Sequence, residues 1–252
     1  MKWAFSTLGL PGLPLPSVLR LAGEHGWDGV ELRCAPGEPV HLGLGAAERA
    51  ALARQFGSAG VLPLAVCSYV GIAAPGEDGP VLTELTEHLR LATDLGAPYV
   101  RVFPRGEDAT AVRRLRAVAP VAGALGVRVL VETHDTHRSA RAVARLAAAV
   151  DSPAVGGLWD LLHTHLAGET PAESLAALAP WLGYTQVKDV ASTEDLTPVP
   201  LGSGILPIAA CLSGLGPDAW VSWEYEAPWH PAAAPFAPLL ARPRPGPDGP
   251  SR

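Results

Sequence analysis

Short runs of branched apolar residues alternate along the chain with longer stretches in which apolar side chains recur every three or four positions. The first kind suits a strand buried on both faces, the second an amphipathic helix packed over it. Strands are expected at Trp3–Ser6, Gly29–Arg33, Val61–Cys67, Pro98–Phe103, Val127–Glu132, Ala154–Trp159, Tyr184–Val187 and Trp220–Trp223. Helices are expected at Leu15–His25, Ala46–Ala59, Pro80–Leu95, Ala109–Leu125 with a kink at Pro120, His137–Val150, Pro171–Trp181 behind Thr170 as N-cap, and Leu206–Leu215. Eight strands, each followed by a helical pattern at spacings of roughly 25 to 40 residues, favour a single closed (β/α)8 TIM barrel over an open sheet. The eighth helix is the weak one: His230–Ala241 contains Pro231, Pro235 and Pro238, so it should be short or irregular. No linker divides the chain, so residues 1–241 read as one barrel domain and 242–252 as a disordered tail.

Composition narrows what such a barrel does. A hydrophobic content of 48% in 252 residues supports a large core. The opening apolar segment is short and no run of about 18 apolar residues occurs, so a soluble cytoplasmic protein with no membrane partner is expected. Cys34, Cys67 and Cys211 are odd in number and widely spaced, which suits reduced, buried fillers. A net charge of -6 without a basic cluster offers no footprint for nucleic acid. Signatures of P-loop phosphoryl transfer, serine hydrolysis, zinc proteolysis and dinucleotide binding are all missing from the sequence.

In a parallel barrel, chemistry is carried at the carboxyl ends of the strands. Four of the expected ends bear metal-ligand types: Glu132, Asp160, Gln186 on the seventh strand, and Glu224. Three carboxylates and a carboxamide form an oxygen-only set, which fits a hard divalent ion, Mn²⁺ or Mg²⁺, better than tetrahedral zinc. His134 shares a strand face with Glu132, and His163 follows Asp160 by three residues, so either could move a proton near neutral pH. The plainer alternative is a histidine that only orients a carboxylate. His137 and His165 read as surface residues. Of 19 basic residues only Lys2 and Lys188 are lysines, and Lys188 shares the Gln186 face, where it could hold a substrate oxyanion or form a Schiff base. Glu31, Arg101 and Glu226 are further candidates for substrate contacts, with an internal ion pair as the alternative for the first two. Gly202-Ser-Gly204 falls where barrels often bind phosphate through backbone N–H groups, although such a pair of glycines is more often a turn. Trp3, Trp159, Trp223 and Trp229 either pack in the core or wall the pocket.

The motifs Gly29-Val-Glu-Leu32, Val131-Glu-Thr-His134, Trp159-Asp-Leu-Leu-His163, Gln186-Val-Lys-Asp189, Gly202-Ser-Gly204 and Glu224-Tyr-Glu226 together resemble the xylose-isomerase-like barrels. That family holds sugar phosphate isomerases, epimerases and related dehydratases, and the resemblance covers nearly the whole chain. It implies that Glu132, Asp160 and Glu224 bind the metal, with Gln186 in the fourth place, where many relatives carry His and some dehydratases carry Gln. The expected activity is therefore isomerisation or epimerisation of a small polyhydroxylated ketone, with one divalent ion, Co²⁺ or Zn²⁺ being alternatives to Mn²⁺ and Mg²⁺. Glu132, Glu224 or His134 would take the proton next to the carbonyl, giving an enediolate. A dehydratase of dehydroshikimate or inosose type is the alternative. The fold also serves abasic-site endonucleases resembling endonuclease IV, which need more histidine ligands than this chain offers, and a sugar-binding barrel without catalysis is a third class. A short eighth helix would leave an apolar edge open to a second copy, a homodimer.

Overall fold

The computed structural model describes residues 1–246. Eight parallel strands close in chain order: β1 (Lys2–Ser6), β2 (Gly29–Arg33), β3 (Leu62–Gly71), β4 (Tyr99–Phe103), β5 (Arg128–Glu132), β6 (Val155–Asp160), β7 (Leu182–Val187) and β8 (Trp220–Trp223). The pairing of Trp3 with Val221 and of Phe5 with Trp223 shuts the ring. Around it lie α1 (Leu15–Glu24), α2 (Ala46–Ala59), α3 (Asp78–Leu95), α4 (Asp108–Ala124), α5 (Ala140–Val150), α6 (Leu161–Leu166), α7 (Pro171–Leu178) and α8 (Ile208–Gly214). The chain is thus a single (β/α)8 barrel.

Strand alternation divides the apolar residues into two cores. The larger lies between sheet and helices, with Val30, Val66, Val100, Val129, Val131 and Trp159 facing outward onto α1 to α5. The smaller fills the barrel itself with Ala4, Leu64, Cys67, Leu130, Leu158 and Tyr184. Leu130, Leu158 and Tyr184 stand two residues before Glu132, Asp160 and Gln186, so the next inward layer is polar. An apolar floor under a polar layer is what places chemistry at one end.

Several elements differ from expectation for local reasons. α5 starts at Ala140 because the Ser139 side chain accepts from the Ala142 N–H, and Asp135–His137 forms a 3₁₀ turn before it. α6 was not expected; it begins where the Asp160 side chain accepts from the N–H groups of Leu162 and His163. α4 continues through Pro120 as one assigned helix. β3 runs on past Cys67 to Gly71, which carries Tyr69 to the mouth of the barrel. Cys34, Cys67 and Cys211 are free and buried. No described helix is long and apolar enough to cross a membrane.

After β8 the chain makes only 3₁₀ turns, at Ala227–Trp229 and Ala237–Ala241. Phe236 takes the place of the missing helix, stacked on Tyr225 at 4.8 Å and edge-on to Trp223 at 4.9 Å. A Cβ on Gly9 would run into the Phe236 ring, so only glycine seats it. Phe236 is 2% and Leu240 1% exposed, so both pack into the space after β8. Of the expected tail, residues 247–252 lie outside the described residues, whereas Arg244 lies with Cζ 4.7 Å from the Trp27 ring centroid.

Candidate active site at the carboxyl ends of the strands

The polar layer is buried almost completely: Glu31, Asp160 and Gln186 are 0% exposed, Glu132 2% and Lys188 3%. Groups this deep need partners, because an unmatched buried charge or donor is costly. Glu31 finds them inside the protein. Its carboxylate accepts from Tyr184 Oη at 2.8 Å and from Gln186 Nε2 at 2.9 Å to each oxygen. It therefore orients Gln186, with both oxygens of the carboxylate expected at the substrate engaged inside the protein. The Gln186 amide group also donates to Glu224 Oε1 at 3.3 Å, and this leaves Gln186 Oε1 buried with no hydrogen-bond partner.

Lys188 is the hub of the β6 to β8 side. Its ammonium lies 2.9 Å from Asp160 Oδ2 and also donates to Glu224 and Glu226. Burial works against the charge, but Asp160, Glu224 and Glu226 more than offset it and push the amine well above its ordinary range. An ammonium held this way is no nucleophile, which weighs against the Schiff-base alternative. Lys188 also holds Asp160 below the usual carboxylate range despite its burial.

Glu132 lies on the other side with Arg101, Nη1 to Oε2 being 3.3 Å. Burial raises its carboxyl well above normal; Arg101 opposes this, and Glu224 and Asp160 add to it. His134 and His163 meet ring to ring at 4.2 Å, and His134 packs on Phe103 at 4.6 Å. Neither His163 nitrogen has a hydrogen-bond partner among the described residues, and Nε2 stands 4.0 Å from Asp160 Oδ2. His134 Nδ1 lies 2.9 Å from Asp135, whose backbone sits in the left-handed region at φ 44°.

Burial pushes the Glu224 carboxyl up to about 7; Lys188 opposes this and Glu226 adds to it. Burial pushes His163 down to about 4, against the pull of Asp160. For Glu224 the proton is held more tightly in the folded state, so its contribution to stability is full below 4.5 and is lost as pH rises through about 7. For His163 the proton is held less tightly, so its contribution is present above 6.5 and is lost as pH falls through about 4. In metal-free protein the two oppose each other between 4.5 and 6.5. Thermal melts should therefore separate them: His163→Asn leaves a melting temperature that falls as pH rises toward 7, and Glu224→Gln one that falls as pH drops toward 4. Profiles like wild type in both variants would remove these two groups from the titration.

The residues present suit a cation. Glu132 Oε2, Asp160 Oδ2 and Gln186 Oε1 are buried acceptors without hydrogen bonds, and they belong to three of the four expected ligands. Among the described residues, however, the group whose ligand atoms all lie within 4.8 Å of one another is Glu132, His134 and His163. Lys188 meanwhile stands between Asp160 and Glu224.

Gly202 and Gly204 are not a phosphate cradle. Their N–H groups both donate to Asp189 Oδ2 at 2.9 Å, and those of Val190 and Leu206 donate to Oδ1 at 3.1 Å. Asp189 is 1% exposed, and a Cβ on Gly204 would strike it and the Val190 carbonyl. A protein carboxylate thus takes the place expected for a ligand anion. His137, expected at the surface, is 4% exposed and bonds Asp108 at 2.8 Å. Trp3, Trp159 and Trp223 belong to the core, whereas Trp229 is 55% exposed at the rim with Arg33 over its ring at 5.4 Å. Tyr69 and Phe103, which sequence reading did not single out, lie beside Arg101, Phe103 two positions beyond it on one strand face.

With this geometry in place, the comparisons with known proteins carry weight. The chain belongs to the xylose isomerase-like TIM barrel family, whose sequence model matches residues 19–242. An IolI protein with a bound zinc atom superposes with a TM-score of 0.79 at 22% identity, over 96% of this chain and 95% of that one. The probable 3-DHS dehydratase AsbF from Bacillus anthracis gives 0.78 at 19% identity, over 95% and 97%. The 3-keto-D-glucoside 4-epimerase YcjR from E. coli gives 0.76 at 18% identity, over 96% and 98%. At such identities the likeness is one of fold. No curated protein sequence matches the chain.

Proposed function

We propose that the chain is a divalent-metal-dependent isomerase or epimerase that moves a proton next to the carbonyl of a small polyhydroxylated ketone. The observation that carries this is the convergence of buried acceptors without a hydrogen bond among the described residues on Glu132, Asp160 and Gln186, the first two only ion-paired, beside two carboxyls whose proton affinity burial has raised. Glu132, Asp160, Gln186 and Glu224 would hold the ion, with His134 and His163 on its β5 to β6 side. When bound, the ion supplies Lewis-acid polarisation of the substrate carbonyl. The chain's own groups do the rest. Glu224 and Glu132 take and return the proton. His163 holds a substrate oxygen, and Lys188 keeps Asp160, Glu224 and Glu226 in place.

A dehydratase is the second reading, and one observation favours it. Gln186 carries an amide where a histidine would titrate, and the two neighbouring imidazoles, His134 and His163, stand together on one side. Burial pushes both below their ordinary range. Such a pair suits removal of a proton and departure of a β-hydroxyl from the same flank. Solved relatives named as an epimerase and a probable dehydratase support keeping both readings.

Proton NMR in D₂O with ketoses, inososes and dehydroshikimate, with and without chelator, tests the proposal. One bound divalent ion and chelator-sensitive deuterium wash-in are expected, and the product separates isomerase from dehydratase. Absence of both metal and exchange across the panel would overturn carbonyl chemistry in favour of a binding barrel.

A further inference from the structure

Arg101 is a buried cation whose donors are only partly met. Its side chain is 5% exposed, and its Nε and Nη1 are buried without a hydrogen-bond partner among the described residues. Those two donors lie on different edges of the guanidinium plane. The 3.3 Å approach of Nη1 to Glu132 Oε2 compensates charge but lacks hydrogen-bond geometry. Two aromatic rings lie close by, Cζ being 4.0 Å from the Phe103 ring centroid and 5.6 Å from that of Tyr69. Arg33 and Arg105 flank the same two rings, 5.6 Å from Tyr69 and 4.8 Å from Phe103. Both are engaged in part, Arg33 donating to Tyr69 Oη and Glu38, Arg105 to Asp135 and the Tyr69 carbonyl. A buried guanidinium with unpaired in-plane donors and an aromatic ring against it matches an oxyanion lying in its plane.

Two neighbours decide which oxyanion. Glu132 stands 3.3 Å away, so a doubly charged phosphate would meet more repulsion than a singly charged carboxylate. The supports a phosphate would need are also engaged: Asp189 uses the loop N–H groups of Gly202 and Gly204, and Lys188 is bound to three carboxylates. We propose that Arg101 docks a carboxylate of the substrate, so that the substrate is a small polyhydroxylated keto acid and not a neutral ketose or a sugar phosphate. This rests on the carbonyl chemistry proposed for the same site.

Calorimetric titration of the metal-loaded full chain tests it with matched ligands: D-fructuronate, D-fructose and D-fructose 6-phosphate, and the cyclic pair quinate and myo-inositol. In at least one set the carboxylate should bind on the order of 100-fold tighter than its neutral partner and tighter than the phosphate. Arg101→Gln should remove about 100-fold of that affinity and Arg101→Lys about 10-fold, the lysine keeping charge but not the planar fork, while neutral ligands are unmoved. A neutral sugar or a phosphate binding as tightly as the acid, no measurable binding of either acid, or equal losses for all ligands in Arg101→Lys would overturn it. Deuterium wash-in separates this from the reaction class. Acid binding that depends on Arg101 without exchange would leave the docking role standing and sink the carbonyl chemistry; exchange of a neutral ketose that ignores Arg101 would do the reverse.

Discussion

Glu132→Gln should lower turnover by about 10³-fold, within the range ordinarily lost with a positioned acid or base, and should do so in a protein that still folds. The substituted amide keeps the shape of the side chain and one carbonyl oxygen, and the partner it disturbs is Arg101 at 3.3 Å. What disappears is the ability to exchange a proton, together with one anionic ligand for the ion. Asp160→Asn should act in the same direction. Its carbonyl oxygen can still accept from Leu162 and His163 to start α6, but an amide facing Lys188 replaces the carboxylate oxygen at 2.9 Å. Turnover, metal content per chain and circular dichroism of the two variants form the check. Normal turnover in both after chelation would sink the metal mechanism.

The largest expected loss of stability lies at Asp189, away from the reacting groups. Asp189→Ala strips the acceptor from four backbone N–H groups, those of Val190, Gly202, Gly204 and Leu206. At about 1–3 kcal/mol for each donor left buried, and with water recovering part of it, a loss on the order of 4 kcal/mol follows. For a domain of this size that is a drop in melting temperature of roughly 10 °C. Asp189→Asn should lose less, since its remaining carbonyl oxygen still accepts. Protease cutting confined to residues 190–206 should accompany the alanine variant. A change below about 1 kcal/mol would mean that the loop is held by something other than this carboxylate.

The sheet could be read from sequence because each strand is a compact apolar run, as in Val127-Arg-Val-Leu-Val131, and burial on both faces leaves few other uses for such a run. The polar layer was visible for the same reason: Glu132, Asp160 and Glu224 interrupt apolar runs where strands end. What stayed hidden was pairing. Nothing local says that Tyr184 spends its hydroxyl on Glu31, 153 positions away, or that Asp189 already uses the N–H groups of the glycine pair. α6 was missed because six residues are too few for a helical period to show, and its start signal, Asp160, was assigned to the site instead. Tyr69 was missed because β3 was ended at Cys67. The aromatic seal over the gap after β8 was also beyond reach, since Phe236 lies in a Pro-rich stretch without periodicity.

Lys188 has one more consequence. Carboxylates gathered for an ion ordinarily make the empty protein fragile, since their mutual repulsion rises once the ion leaves. Here an ammonium tethered to β7 serves as a built-in counterion for Asp160, Glu224 and Glu226. The mutual repulsion of these carboxylates is thereby compensated from within the chain, without recourse to any cation from solution.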